Sequence, residues 1–165
     1  MPGAPLDPIA EARRQWESHG WTDAAPGMAA VTSVMRAQQV LLARVEQHLD
    51  AFDLTFARFE LLRLLAFTRH GELPLGKLGD RLQVHATSVT NAVNRLEAQA
   101  FVERRAHPTD GRTTLAAITK SGRRVVDRAT AVLNREVFAD IGLSDGESEQ
   151  LFRLLRKIRA TTGKY

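Results

Sequence analysis

From Met28 onward the apolar positions Met28, Val31, Met35, Leu42, Val45 and Leu49 advance in alternating steps of three and four, with Gln38 in the remaining slot. That is the period of one helix face, narrow enough to be either a core stripe or a seam against a partner helix. Phe56, Phe59, Leu62 and Leu65 predict a second helix over about Phe56 to Thr68, closed by His70-Gly71. Leu75, Leu78 and Leu82 mark a short third helix. After a break at Gln83-Val84-His85, Val89, Val93 and Leu96 mark a fourth over about Ala86 to Gln99. Two helices joined by so short a turn read as helix-turn-helix.

The period then changes. Val102 to Ala106 and Thr113 to Ile118 read as strands around the turn His107-Pro108-Thr109-Asp110-Gly111-Arg112, whose Pro and Asp-Gly carry hairpin chemistry. Thr119 caps a long helix through Val125, Val126, Ala129, Leu133 and Val137, interrupted at Gly142. Ser144 with Glu147 has the form of a capping box and opens a last helix with Leu151, Leu154, Leu155 and Ile158. At the other end Asp7-Pro8 starts a helix carrying Ile9, Arg13 and Trp16. The expected fold is mainly α with a small β-hairpin: a winged helix-turn-helix with long N- and C-terminal dimerisation helices. Its parts are an N-terminal extension and dimerisation helix (1–55), the winged helix-turn-helix (56–118) and C-terminal dimerisation helices (119–165).

Composition agrees with a helical core, since 44% of residues are hydrophobic and only 6% aromatic. With no cysteine, disulfides, thiolate metal sites and thiol switches are excluded. No apolar run approaches a membrane span and the first residues lack the pattern of a secretion signal, so the expected location is the cytoplasm. The charge is unevenly spread: Pro74 to Arg128 holds ten Lys or Arg against five Asp or Glu (net +5), leaving −1 to the rest of a chain whose formal charge is +4. A basic segment of this kind suits a polyanion and equally suits a solvated face.

What the charges sit on favours the polyanion. With Val89, Val93 and Leu96 turned inward, the fourth helix displays Thr87, Ser88, Thr90, Asn91, Asn94 and Arg95, short hydrogen-bonding groups fit for base edges and phosphates. In the hairpin, Arg112 sits at the tip, where a guanidinium can enter a narrow minor groove, with Arg104 and Arg105 on the strand beneath. Asp110 either aims Arg112 through an ion pair or supplies the turn's hydrogen bond. Lys120, Arg123 and Arg124 either meet phosphates or are solvated. No nucleophile elbow, zinc-protease motif, phosphate loop or dinucleotide fingerprint is present, and the five histidines show no ligand spacing. The expectation is a protein without catalytic residues, metal or cofactor.

Leu78-Gly-Asp-Arg-Leu-Gln-Val84, Ser88-Val-Thr-Asn-Ala-Val-Asn-Arg-Leu-Glu97, Val102-Glu-Arg-Arg105, Asp110-Gly-Arg112 and Ile118-Thr-Lys-Ser-Gly122 follow one another in an order and spacing that resembles the MarR family. The resemblance runs from about Met28 to Thr162. It implies that the terminal helices form a dimer interface, that the helix over Ala86 to Gln99 reads the major groove, and that Arg112 is the minor-groove arginine of the wing. His85 departs from a serine-like cap and Asn91 from a basic residue. Trp16 and Glu60 resemble residues of the family's urate-responsive branch, but Ala92 replaces that branch's arginine and removes the cation an anionic purine would face. The alternative reading of Trp16 is a packing anchor.

The resulting expectation is a sequence-specific, DNA-binding transcriptional regulator, a ligand-responsive repressor acting as a homodimer on a palindromic operator. Its partners would be double-stranded DNA and an apolar or amphipathic effector near Trp16, Phe59 and Glu60, with no membrane. The alternative is a protein-interaction module that keeps the winged-helix shape without DNA contacts.

Overall fold

The computed structural model describes residues 6–161. The outermost ends of the expected terminal segments, 1–5 and 162–165, lie outside the described residues. In chain order the structure contains α1 (Pro8–Ser18), α2 (Ala25–Leu49), α3 (Phe56–Phe67), β1 (Glu72–Pro74), α4 (Leu75–Leu82), α5 (Ala86–Ala98), β2 (Val102–Ala106), β3 (Thr114–Ile118), α6 (Lys120–Leu133) and α7 (Asp145–Ala160). The chain divides into two compact units between Arg44 and Val45, within α2.

In the N-terminal unit, Asp7 caps α1 by accepting from Ile9 N, with Pro8 at the first turn. At the end of α1 the ring of Trp16 meets that of Trp21, beyond the helix, edge to face at 5.3 Å, and His19 stacks on Trp21. The α2 stripe divides: Val31 and Met35 are exposed in the single chain.

In the C-terminal unit, Val45 and Leu49 of α2 enter a core with Phe59, Leu62 and Leu65 of α3, Leu78 of α4, Val89, Val93 and Leu96 of α5, and Val126, Ala129 and Leu133 of α6. The α4–α5 turn closes through Gln83 in the left-handed region (φ 58°), with Val84 N donating to Gly79 O at 3.2 Å. Thr119 caps α6, accepting from Gly122 N. The capping box at Ser144 and Glu147 forms in full.

The structure adds to the predicted hairpin. β3 is the central strand of a three-stranded antiparallel sheet, with β2 on one side in the register Val102↔Ile118 to Ala106↔Thr114 and β1 on the other, Glu72↔Ala117 to Pro74↔Leu115. Gly71, at φ +72°, turns the chain into β1, and its carbonyl accepts from Ile118 N. The helix predicted to run through Val137 widens instead into a π-type turn at Asn134–Phe138, which keeps Val137 buried and leaves Phe138 exposed.

Gly122 shows how tightly α6 seats on the end of α5. A Cβ there would lie 2.2 Å from the Phe101 carbonyl oxygen and 2.9 Å from Ile118 Cγ1. The obstruction is backbone, so Gly122→Ala should destabilise by about 2 kcal/mol or more. Gly76, early in α4, has nothing within 4 Å of its would-be Cβ, and Gly76→Ala should be neutral or stabilising by up to roughly 1 kcal/mol. Denaturant unfolding of the two variants checks the contrast; equal effects would contradict the packing described.

Candidate nucleic-acid interface

Burial of Val89, Val93 and Leu96 sets the orientation of α5. Its N-terminus is capped by His85, whose Nδ1 accepts from Thr87 N at 3.3 Å and lies 3.1 Å from Thr87 Oγ1. Thr87, Ser88, Thr90, Asn91, Asn94 and Arg95 are all exposed on the resulting outer surface. Thr90 spends its hydroxyl hydrogen on Ala86 O at 3.1 Å, which leaves lone pairs outward. Ser88, Asn91 and Arg95 have no side-chain partner among the described residues.

The wing is held by its own turn. Asp110 Oδ1 accepts from Arg112 N at 3.0 Å and Oδ2 from Thr113 Oγ1 at 2.6 Å. Those two hydrogen bonds, Thr113 first, hold the Asp110 carboxyl below its ordinary range. Of the two roles open to Asp110, the structure therefore shows the turn. No ion pair joins it to Arg112 among the described residues, and the exposed Arg112 guanidinium has no partner there. The other two wing arginines are engaged. Arg104 pairs with Glu97 and donates from Nη2 to Asn94 Oδ1 at 2.6 Å. Arg105 pairs with Glu103 and, at 3.4 Å, with Glu72 of β1. Arg123 donates to Ala66 O at 3.1 Å.

One part of this surface has no counterpart in the sequence pattern. Ser88, Asn91 and Arg95 form one wall of a groove whose other wall holds Asp53, Thr55 and Arg58. Gln99 fastens the walls together, donating from Nε2 to Asp53 O (2.9 Å) and Oδ2 (2.7 Å) and accepting from Arg58 Nη1 (3.1 Å). These partners are 41 and 46 residues apart, and no local pattern marks them.

Of the residues expected near an effector, Trp16 belongs to the N-terminal unit and Phe59 and Glu60 to the other. Phe59 is a core residue that also borders a shallow groove of about 310 Å³ with Phe56, Glu60, Arg63, Phe67 and Phe138. Arg63 pairs with Asp127 at 2.7 Å and lies over the Phe67 ring, its Nε buried without a partner. Glu60 is half-buried, and desolvation raises its carboxyl above the usual range. Among the described residues no group of His, Asp or Glu could hold a metal ion, and no helix is long and apolar enough to cross a membrane.

Two packed helices at a left-handed turn, the second presenting its polar face, followed by a hairpin with a free arginine at its tip, define a winged helix-turn-helix protein. A family model described as MarR family matches residues 52–113. Sco5413, a MarR family transcriptional regulator from Streptomyces coelicolor, has a similar structure with TM-score 0.76 and 46% identity, covering 85% of this chain and 97% of that one. The chain belongs to the MarR family. It is 33% identical over 87 residues to the HTH-type transcriptional regulator MhqR of Bacillus subtilis, a match covering 53% of this chain and 59% of that protein, less than two thirds of the relative's length. MepR of S. aureus, solved as a complex with DNA, shares the fold at 22% identity with TM-score 0.72, covering 79% of this chain and 96% of that one.

The raised carboxyl of Glu60 has a signed consequence. The folded state holds this proton more tightly than the unfolded chain, so the group favours folding in acid and its contribution declines as pH rises through the carboxylate range. Glu60→Gln should therefore melt higher than the wild type at pH 7, with the difference vanishing below about pH 4, where free Glu (about 4.3) is also protonated. A pH-independent difference in melting temperature would contradict it.

Proposed function

We propose that this chain is a transcriptional regulator that binds double-stranded DNA as a homodimer, with α5 in the major groove and Arg112 of the wing in the minor groove. The observation that carries this reading is the polar outer face of α5 beside an unpaired arginine at an ordered wing tip. Major-groove edges distinguish all four base pairs, so Ser88, Thr90, Asn91 and Asn94 are suited to sequence, while a minor-groove arginine answers to shape and charge. Free Arg58 edges and Arg95 across the adjoining groove suit phosphates. Arg104 and Arg105 contribute by bracing the wing through their ion pairs with Glu97, Glu103 and Glu72.

Two apolar surfaces support the homodimer. Val31, Met35 and Val40 are more than half exposed on α2. On α7, a helix without a buried residue, Leu151, Phe152, Leu154 and Ile158 are exposed as well. Exposed patches of this kind mark interfaces. A dimer would set two copies of α5 about one DNA turn, roughly 34 Å, apart on a palindromic site. Repression is then occlusion of a promoter, and a ligand acts by changing the spacing of the two reading heads. The groove beside Glu60 supports an amphipathic small molecule as that ligand: its size lies at the lower edge of the range that holds small molecules, and it joins aromatic faces to a half-buried carboxyl. The fold family and these surfaces favour a regulator over an enzyme.

Light scattering at micromolar concentration should give a dimer, and Ile158→Asp with Leu154→Asp should give a folded monomer that loses operator affinity by about 100-fold or more through loss of bivalent engagement. A wild-type monomer that binds DNA equally well would contradict the dimer. Arg112→Ala should weaken binding to operator and scrambled DNA together, with a log–log salt slope shallower by about one for each phosphate the variant no longer neutralises. A change in operator preference with unchanged non-specific affinity would remove the wing from the minor groove.

A further inference from the structure

Arg104 differs from the other arginines of this surface in what it does to a neighbour. Its guanidinium, on β2, spans two residues one turn apart on α5: one nitrogen pairs with Glu97, and Nη2 donates to Asn94 Oδ1 at 2.6 Å. Glu97 is held twice over, since its Oε1 also accepts from Arg104 N at 3.3 Å. The guanidinium is donor-only, so the amide of Asn94 can meet it through oxygen alone, and which way the amide points is fixed by chemistry. Asn94 is exposed, and its amide nitrogen has no partner among the described residues.

An asparagine free to offer both ends pairs bidentately with adenine, accepting from N6 and donating to N7. Asn91, one turn earlier, has both ends free. Asn94 does not, because Arg104 holds its oxygen and leaves the amide nitrogen as the unpartnered end. We propose that Arg104 is a positioning residue for base specificity: by holding Asn94 Oδ1 it leaves the amide nitrogen as the end that meets a base, which favours guanine, whose N7 and O6 both accept, over adenine, where N7 alone accepts and the N6 amino group is left without an acceptor. The inference rests on the reading of α5 as the major-groove helix. It assigns to Arg104 a role different from phosphate contact, and it links the wing to the reading head through one side chain.

The test selects binding sites for the full-length protein from double-stranded DNA randomised over about 20 base pairs, two half-sites one turn apart. Asn94→Ala identifies the position Asn94 reads, as the one whose preference disappears. At that position Arg104→Met should raise adenine relative to guanine by about fivefold or more, the lower end of what a bidentate contact discriminates. Arg104→Lys, which keeps a donor, should hold the wild-type profile, and Arg104→Met should change nothing further in the Asn94→Ala background. Asn94→Asp keeps the pairing with Arg104 but turns an acceptor outward, so its preference should move to cytosine, which offers N4–H; this variant serves should Arg104→Met fold poorly by circular dichroism. If Arg104→Met lowers affinity for all sequences alike and makes the salt slope shallower by about one, with an unchanged profile, Arg104 is a phosphate contact and the inference is overturned while the major-groove reading stands. If the wild type selects no sequence, that reading fails and this inference fails with it.

Discussion

Everything at the reading surface depends on one packing constraint, the burial of Val89, Val93 and Leu96 of α5 against α3 and α4. Each such side chain contributes on the order of 1.5–3 kcal/mol on leaving water. Because three of them lie on one face, α5 cannot rotate about its axis without exposing that stripe. The rotation decides which side chains face outward. Recognition in this fold is therefore specified from the inside: the core chooses the face, and only then do Ser88, Asn91, Asn94 and Arg95 acquire a common direction.

A second layer of constraints acts on that face from outside the core. Gln99 ties the end of α5 to Asp53 and Arg58 at the start of α3, and Arg104 ties its middle to the wing. These hydrogen bonds are exposed or half-exposed, so individually they add little stability. Their effect is geometric. They limit the freedom of the helix and of particular polar groups before any partner arrives, which lowers the ordering cost of binding. Asp110 does the same at the wing tip, holding the turn so that Arg112 projects alone.

Much of this is legible in the chain itself, and the reason is locality. The stripe of α5, the Ser144–Glu147 capping box, the Thr119 cap and the turn at Asp110 are all written within a few residues, where helix period, cap chemistry and turn chemistry apply directly. The features that escape a sequence reading are non-local. β1 is three residues long, too short for an alternating pattern, and exists because β3 offers a free edge. Gln83 in the left-handed region carries no glycine signal. The π-type turn before Phe138 satisfies the core packing of Val137, and nothing in Asn134 to Phe138 announces it. Helical phase identifies the candidate residues, but which of them are already partnered, as Arg104 and Arg105 are, depends on strand register.

The central claim, that α5 enters the major groove while the wing meets the minor groove, is open to a single chemical footprint. Dimethyl sulfate methylates guanine at N7 in the major groove and adenine at N3 in the minor groove, so one reaction on a bound DNA site reports both. Two clusters of N7 protection about one helical turn apart, each flanked on its outer side by N3 protection, are the expected result. Protection confined to one groove, or no protection beyond that of naked DNA at saturating protein, would contradict it.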